Sequence, residues 1–202
     1  MTLRETLNPA PGGIHTEWKE DKVAPALRII LGWLALLPLH RYERYDVPWV
    51  PTRRELIKHI IRIAGVRRGD VFYDLGCGDG RVVIEAVKHG ARGVCIEIRP
   101  DLIKEAMKNA KRENVYDRIS FIQGDFYTQD LSKATVIYMY LLTRVNAALK
   151  PKLEREARVG TRIITLDFEI PGWRPVHVEK HYTGGLERTI YLYIRGVSDI
   201  AQ

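Results

Sequence analysis

Apolar and polar positions divide the start of this chain into two unlike stretches. Residues 1–22 are polar, carry Pro9, Pro11, Gly12 and Gly13, and show no regular period, which predicts a flexible arm. They lack the basic stretch, apolar run and small-residue cleavage site of a secretory signal. Val23 to Leu39 is then almost wholly apolar apart from Arg28, with Trp33 and Leu34-Ala35-Leu36-Leu37 bracketed by Pro25 and Pro38. It reads as a helix. Its seventeen residues reach only the lower edge of a membrane span, and Arg28 would be costly at the bilayer centre. A helix buried on its own domain, on a partner or at a membrane interface is therefore expected, rather than a span.

After Val47-Pro48-Trp49-Val50-Pro51-Thr52 the pattern becomes regular. Leu56, Ile57, Ile60, Ile61 and Ala64 fall at helical spacing within Arg53 to Ala64, with Thr52 placed to cap that helix and Gly65 to close it. From there short apolar runs and amphipathic segments alternate. Strands are predicted at Val71 to Leu75, Gly93 to Ile96, Ile119 to Gln123, Ala134 to Tyr140 and Thr161 to Asp167; helices at Gly80 to His89, Pro100 to Arg112 and Leu141 to Ala157. Such a series is the mark of βαβ units around a parallel sheet. Two last strands, about Pro175 to Lys180 and Arg188 to Ile194, are joined through Thr183-Gly184-Gly185 as a hairpin.

The 202 residues suit one domain of about 150 residues plus an extension. We place the boundary at an N-terminal extension over 1–45 and a domain over 46–202. With 46% apolar and 28% charged residues the chain should fold. A net charge of +7 fits an acidic partner such as nucleic acid, an anionic membrane face or an acidic protein. The cations, however, are spread over Arg53/Arg54, Arg67/Arg68, Lys104 to Arg112 and Lys150 to Arg158, mostly at helical spacing, which favours solvated helix faces over a nucleic-acid stripe. Cys77 and Cys95 make neither a metal pattern nor a disulfide framework, and a reducing, cytoplasmic setting is expected.

The chemistry concentrates at Val71-Phe72-Tyr73-Asp74-Leu75-Gly76-Cys77-Gly78-Asp79-Gly80, a buried strand that ends in an acid and a glycine loop and leads into a helix. Glycine lets backbone approach a ligand closely, and the first turn of the following helix offers free N–H donors. A dinucleotide fingerprint would need glycine at the sixth position from Gly76, where Arg81 stands, and a P-loop would need a Gly-Lys-Ser or Gly-Lys-Thr ending, which is absent. Glu97 closes the next predicted strand, seventeen residues after Gly80, where a carboxylate can accept both hydroxyls of a ribose.

Asp74 followed by Gly76-x-Gly78-x-Gly80, with Glu97 behind it, resembles the first two motifs of the class I S-adenosylmethionine-dependent methyltransferases. The resemblance implies an α/β fold: a Rossmann-like seven-stranded sheet with helices on both faces, a final β-hairpin and, here, an N-terminal helical extension. It places Asp125 and Phe126 at the adenine, although Asp125 could instead cap a following helix. After the fourth strand, enzymes that methylate planar amines carry an Asn- or Asp-Pro-Pro-aromatic motif and pyrimidine C5 enzymes a nucleophilic cysteine; this chain reads Ile137-Tyr138-Met139-Tyr140-Leu141-Leu142-Thr143.

With Val47 to Thr52 and Pro171-Gly172-Trp173-Arg174-Pro175 added, the chain is similar over about residues 46–195 to the archaeal broad-specificity protein lysine methyltransferases. That group has mitochondrial relatives that modify the ATP synthase c-subunit and the adenine nucleotide translocase, which the chain also resembles; those relatives carry an apolar segment before the domain. The resemblance implies S-adenosylmethionine as cofactor and lysines of proteins as substrate. It implies cofactor contacts from Val50, Pro51, Thr52, Asp74, Gly76, Cys77, Gly78, Gly80, Glu97, Ile98, Asp125, Phe126 and Tyr138. Transfer would be direct and in line, onto an amine made neutral in an aromatic channel. Tyr140 and Trp173 are the preferred channel residues, with Tyr138 and Phe168 divided between channel and ordinary core; no general base stands out.

His177 and His181 have only Glu179 near them in sequence, so no metal site is expected. Two other functions fit part of the sequence: a nucleic-acid methyltransferase, on charge, and a membrane-associated cofactor-binding scaffold, on Val23 to Leu39 alone.

Overall fold

The computed structural model describes residues 47–200; the extension expected over 1–45, with its helix at Val23 to Leu39, lies outside the described residues. Helix α1 (Arg54–Ile63) follows the segment 47–52 and buries Leu56, Ile57, Ile60 and Ile61, the predicted stripe. Gly65, with φ of 57°, ends it as expected. Thr52 does not cap it. The N-cap is Arg53, without a side-chain bond, because the Thr52 hydroxyl is engaged elsewhere.

The sheet then builds in the predicted order: β1 (Val71–Leu75), α2 (Arg81–Lys88), β2 (Arg92–Glu97), α3 (Pro100–Arg112), β3 (Ile119–Gln123), β4 (Val136–Met139), α4 (Thr143–Glu156), β5 (Arg162–Leu166), β6 (His177–Thr183) and β7 (Leu186–Ile194). Its seven strands lie in the order β3-β2-β1-β4-β5-β7-β6. The first five are parallel; β7 returns antiparallel between β5 and β6. The hairpin strands are longer than predicted, since Thr183 pairs with Leu186 and leaves only Gly184-Gly185 as the turn.

Alternation along β1 explains the layering: Phe72 enters the core cluster shared with α1, α2 and α3, whereas Tyr73 and Leu75 enter the cluster that holds Val145, Leu149 and Leu153 of α4. Among the described residues, no helix is long and apolar enough to cross a membrane.

At the amino ends of the central strands a buried polar cluster ties distant pieces together. Asp70 accepts hydrogen bonds from the Thr135 hydroxyl at 2.8 Å and the Arg67 N–H at 2.8 Å, and it pairs with the Arg162 guanidinium. Arg162 also donates to the carbonyls of Ala64, at 2.8 Å, and Gly65, at 2.6 Å. One guanidinium thus satisfies both a buried carboxylate and the open end of α1.

Replacing Asp70 with Ala strands that guanidinium in a largely buried place. The expected loss is about 3 kcal/mol of unfolding free energy, read by chemical denaturation. Wild-type stability in this variant would show that the cluster does not hold the lower end of the sheet.

Candidate active site

A cleft of about 490 Å³ opens at the carboxyl ends of β1, β2 and β4, where the strand order reverses between β1 and β4. This is where open α/β sheets bind ligands. Its floor is the loop from Gly76 to Gly80. Gly78 adopts φ of 55°, and a Cβ there would stand 2.5 Å from the Trp49 indole nitrogen; at Gly80, with φ of 78°, a Cβ would stand 2.9 Å from that of Ala106 on α3. Both positions demand glycine, by backbone conformation and by space.

The segment 47–52 lies along the cleft as a strap, and Thr52 anchors it. The Thr52 hydroxyl is 2.9 Å from that of Tyr138, and its carbonyl accepts from Arg81 at 3.1 Å. Arg81 is itself held by Asp79, with one N–O distance of 2.6 Å. The strap is therefore fastened both to β4 and to the first turn of α2.

Glu97 is buried at the end of β2. Its Oε2 accepts from the Gly78 N–H at 3.0 Å and its Oε1 from the Arg99 N–H at 2.9 Å. Each carboxylate oxygen keeps a further lone pair for a ligand hydroxyl. Ile98, Leu102 and Phe126 supply an apolar wall beside it, and Asp125 lines the same cleft. No helix follows Asp125. Its Oδ1 instead accepts from the Tyr127 N–H at 2.8 Å, which holds the turn that presents Phe126.

Asp74 sits behind the loop rather than in the cleft. Burial pushes its carboxyl up to about 8, against a backbone hydrogen bond from Val83 that favours the charged form, while the charges of Glu97 and Asp79 push it further up. Its second oxygen, Oδ2, has no hydrogen-bond partner. Asp74 thus acts on the loop from below, through the first turn of α2.

The other end of the cleft is aromatic. Tyr138 is buried, and desolvation raises its hydroxyl well above the ordinary 10.0. Tyr140 is pushed up to about 12, again chiefly by burial and in spite of the Arg188 guanidinium beside it. Arg188 donates to the Tyr140 hydroxyl, lies 5.3 Å from its ring centroid and pairs with Asp167 at 2.6 Å. Phe168 stacks on Tyr140 with centroids 6.3 Å apart, beside the cleft lining rather than in it.

Most residues expected at the site do line the cleft: Val50, Pro51, Thr52, Gly76, Cys77, Gly78, Glu97, Ile98, Asp125, Phe126, Tyr138 and Tyr140. Asp74 and Gly80 support it from outside. Trp173 must be removed from the channel: it is buried in the core cluster of α4, packs edge-on to Tyr193, and donates its indole N–H to Glu154 at 3.1 Å. An indole with its one donor satisfied inside a core is packing, not a substrate wall. The cysteines also require correction, since Cys77 and Cys95 form a disulfide that joins the loop to β2. Trp49 and Arg81 line the cleft, and Arg188 and Asp167 reach it only through Tyr140; sequence pattern predicts none of the four as site residues. Only Trp49 gives a signal, as an aromatic between two prolines before the domain.

The model of the ANTKMT methyltransferase domain family matches residues 74–177. The chain is 45% identical, over 74% of its length and 94% of the relative's, to a protein-lysine N-methyltransferase of Saccharolobus islandicus. It is 32% identical, over 73% of its length and 61% of the relative's, to the human ATP synthase C-subunit lysine N-methyltransferase. Among solved structures it is similar to an RNA methyltransferase from Salinibacter ruber in complex with S-adenosyl-L-homocysteine. There the TM-score is 0.70 and the identity 42%, covering 76% of this chain and 97% of the other.

Replacing Glu97 with Ala should lower S-adenosylmethionine affinity by one to two decades in calorimetry, the equivalent of a lost charge-assisted bond of about 1.5–3 kcal/mol. Unchanged affinity would take Glu97 out of the site. Asp74 yields a prediction of another kind. Its folded-state value of about 8 lies above the ordinary 3.8, so its contribution to stability is complete below pH 3.8 and is lost as pH rises through about 8. The wild type should therefore lose stability relative to Asp74→Asn between pH 5 and pH 9. Parallel stability curves for the two proteins would refute the burial argument.

Proposed function

The chain belongs to the ANTKMT methyltransferase domain family, and from that membership we propose that it methylates lysine ε-amines of protein substrates, with S-adenosylmethionine as donor. The observation that carries this reading is the pairing, in one cleft, of a glycine-loop and Glu97 end with a desolvated tyrosine end. The names of the archaeal and human relatives support the choice of lysine.

The residues present fit the cofactor. Glu97 would hold the ribose hydroxyls, Asp125 and Phe126 the adenine, and the loop Gly76 to Gly78 the methionine end under the Trp49 strap. When bound, the cofactor supplies an electrophilic methyl group on a sulfonium. The chain's own task is to present a neutral amine to it in line.

A lysine side chain in water has a pKa of about 10.4 and must shed a proton before it can attack. The burial that raises Tyr138 and Tyr140 also disfavours an ammonium. Arg188, held against Tyr140, is balanced by Asp167, so this pair adds no net charge and the penalty on an ammonium comes from burial. Both tyrosines keep their hydroxyl protons through the neutral range, so neither is a base; they donate or accept hydrogen bonds and exclude water. The amine proton leaves to solvent as the side chain enters the cleft.

For the partner and its location, the reading is a cytoplasmic enzyme that acts on lysine side chains of proteins. The second reading, RNA as substrate, is favoured by the name of the Salinibacter ruber structure and by the net charge of +7. Against it stands the absence of an Asn- or Asp-Pro-Pro-aromatic segment at the end of β4, where the chain reads Tyr138 to Leu142.

Purified protein with labelled cofactor and lysine-rich test proteins should give methyl increments on lysine by mass spectrometry, at a rate that climbs with pH above neutrality. Tyr140→Ala should lower turnover about tenfold or more with cofactor affinity unchanged. Label confined to nuclease-sensitive material, with protein lysines unmodified, would replace this reading with the RNA one.

A further inference from the structure

Away from the cleft, α1 and the outer strand β6 meet at a polar cluster that methyl transfer does not use. Glu179 and His181 are two residues apart on β6 and so project from one face of the strand. His59 meets them from α1. One donor atom from each of the three lies within 4.8 Å of the other two. Glu179 Oε1 is 2.5 Å from His181 Nε2 and 3.6 Å from His59 Nδ1, and the two imidazole centroids are 3.9 Å apart. A third imidazole, His177, shares the strand face and brings its Nε2 to 3.4 Å from Glu179 Oε2.

We propose that His59, Glu179 and His181 form a binding site for one divalent transition-metal ion of the zinc type, with water or His177 completing the shell. The donor set is two imidazole nitrogens and a carboxylate oxygen, which suits Zn²⁺ and leaves positions open. The spacing suits it as well, because alternate residues of a strand present neighbouring donors to one point, and a helix facing that strand can supply the third. Glu179 and His181 are only 23% and 22% exposed and so are largely held in place, while His59, at 40%, is the more open donor.

The competing occupant is Arg62, whose guanidinium donates to both Glu179 oxygens at 2.8 and 3.1 Å. Its side chain is 63% exposed, so it can swing into solvent when a cation arrives. Glu179 can also keep one oxygen on Arg62 while giving the other to the ion. Arg62 should therefore weaken metal binding without preventing it. The ion would fasten α1, the helix that directly follows the Trp49 strap, to the edge hairpin. This is a structural clasp, independent of the methyl-transfer reading.

The test titrates the chelator-treated full chain with Zn²⁺ by calorimetry and follows thermal unfolding with and without the ion. One equivalent should bind and raise the melting temperature, and Co²⁺ in its place should give visible absorption bands of a nitrogen- and oxygen-coordinated site. His59→Ala and His181→Ala should each weaken Zn²⁺ binding by about tenfold or more and abolish the thermal shift, while Arg62→Ala tightens it. All three positions are partly solvent-exposed, so the variants should fold, and far-ultraviolet circular dichroism checks this. Zn²⁺ binding that survives both histidine substitutions, or no zinc-dependent thermal shift in the wild type, would overturn the site.

Discussion

The backbone of the loop between β1 and α2 must pass against Trp49 on one side and Ala106 on the other while leaving none of its buried N–H groups unsatisfied. β2 provides the acceptors. The Gly76 and Cys77 N–H groups both donate to the Ile96 carbonyl, at 2.9 and 3.0 Å, and Gly78 donates to Glu97. The loop finds these acceptors only where β2 pairs in register with β1, Leu75 beside Ile96. Cofactor geometry is thus a by-product of sheet pairing: the carboxylate that would grip the ribose already holds the floor beneath it.

Much of this was legible from residue pattern. β1, α3 and β3 fall where the apolar runs end, because each is bounded by glycine, proline or charged residues that cannot continue it. Glu97 was legible because the strand after a glycine loop must end beside that loop. What escaped has a common physical cause, namely that the deciding partner lies far away in sequence. Thr52 looks like a helix cap, yet Tyr138, across 86 residues, takes its hydroxyl. Cys77 and Cys95 look unrelated until the parallel register sets Asp74 beside Cys95 and the loop turns back over β2. Trp173 reads as a substrate aromatic because its turn resembles a family motif, but Glu154 on α4 draws its indole into the core. His59 carries no signal on the solvent side of an amphipathic helix, and only the return of β6 beneath it gives it neighbours.

The proposed substrate wall has a mixed origin. Tyr138 and Tyr140 come from the parallel half of the sheet, while Arg188, which sets the charge around Tyr140, comes from antiparallel β7. Asp167 joins the two, accepting from the Thr189 N–H at 3.1 Å with a non-glycine φ of 62°. On the proposed reading, the hairpin would set the polarity of the acceptor side while the cofactor side is formed by the parallel strands.

The outermost strand, β6, ends the sheet without a further neighbour among the described residues. Such a border exposes a row of unpaired amides and carbonyls, an invitation for another chain to continue the ladder. Here the middle of the border carries Glu179, committed to Arg62 and the imidazoles, and Lys180, paired with Glu187 at 2.8 Å. An eighth strand would have to pack its own side chains beside both pairs. Glu179 on the face toward α1 and Lys180 on the opposite face thus both set charge at this border, which discourages a further strand from pairing there.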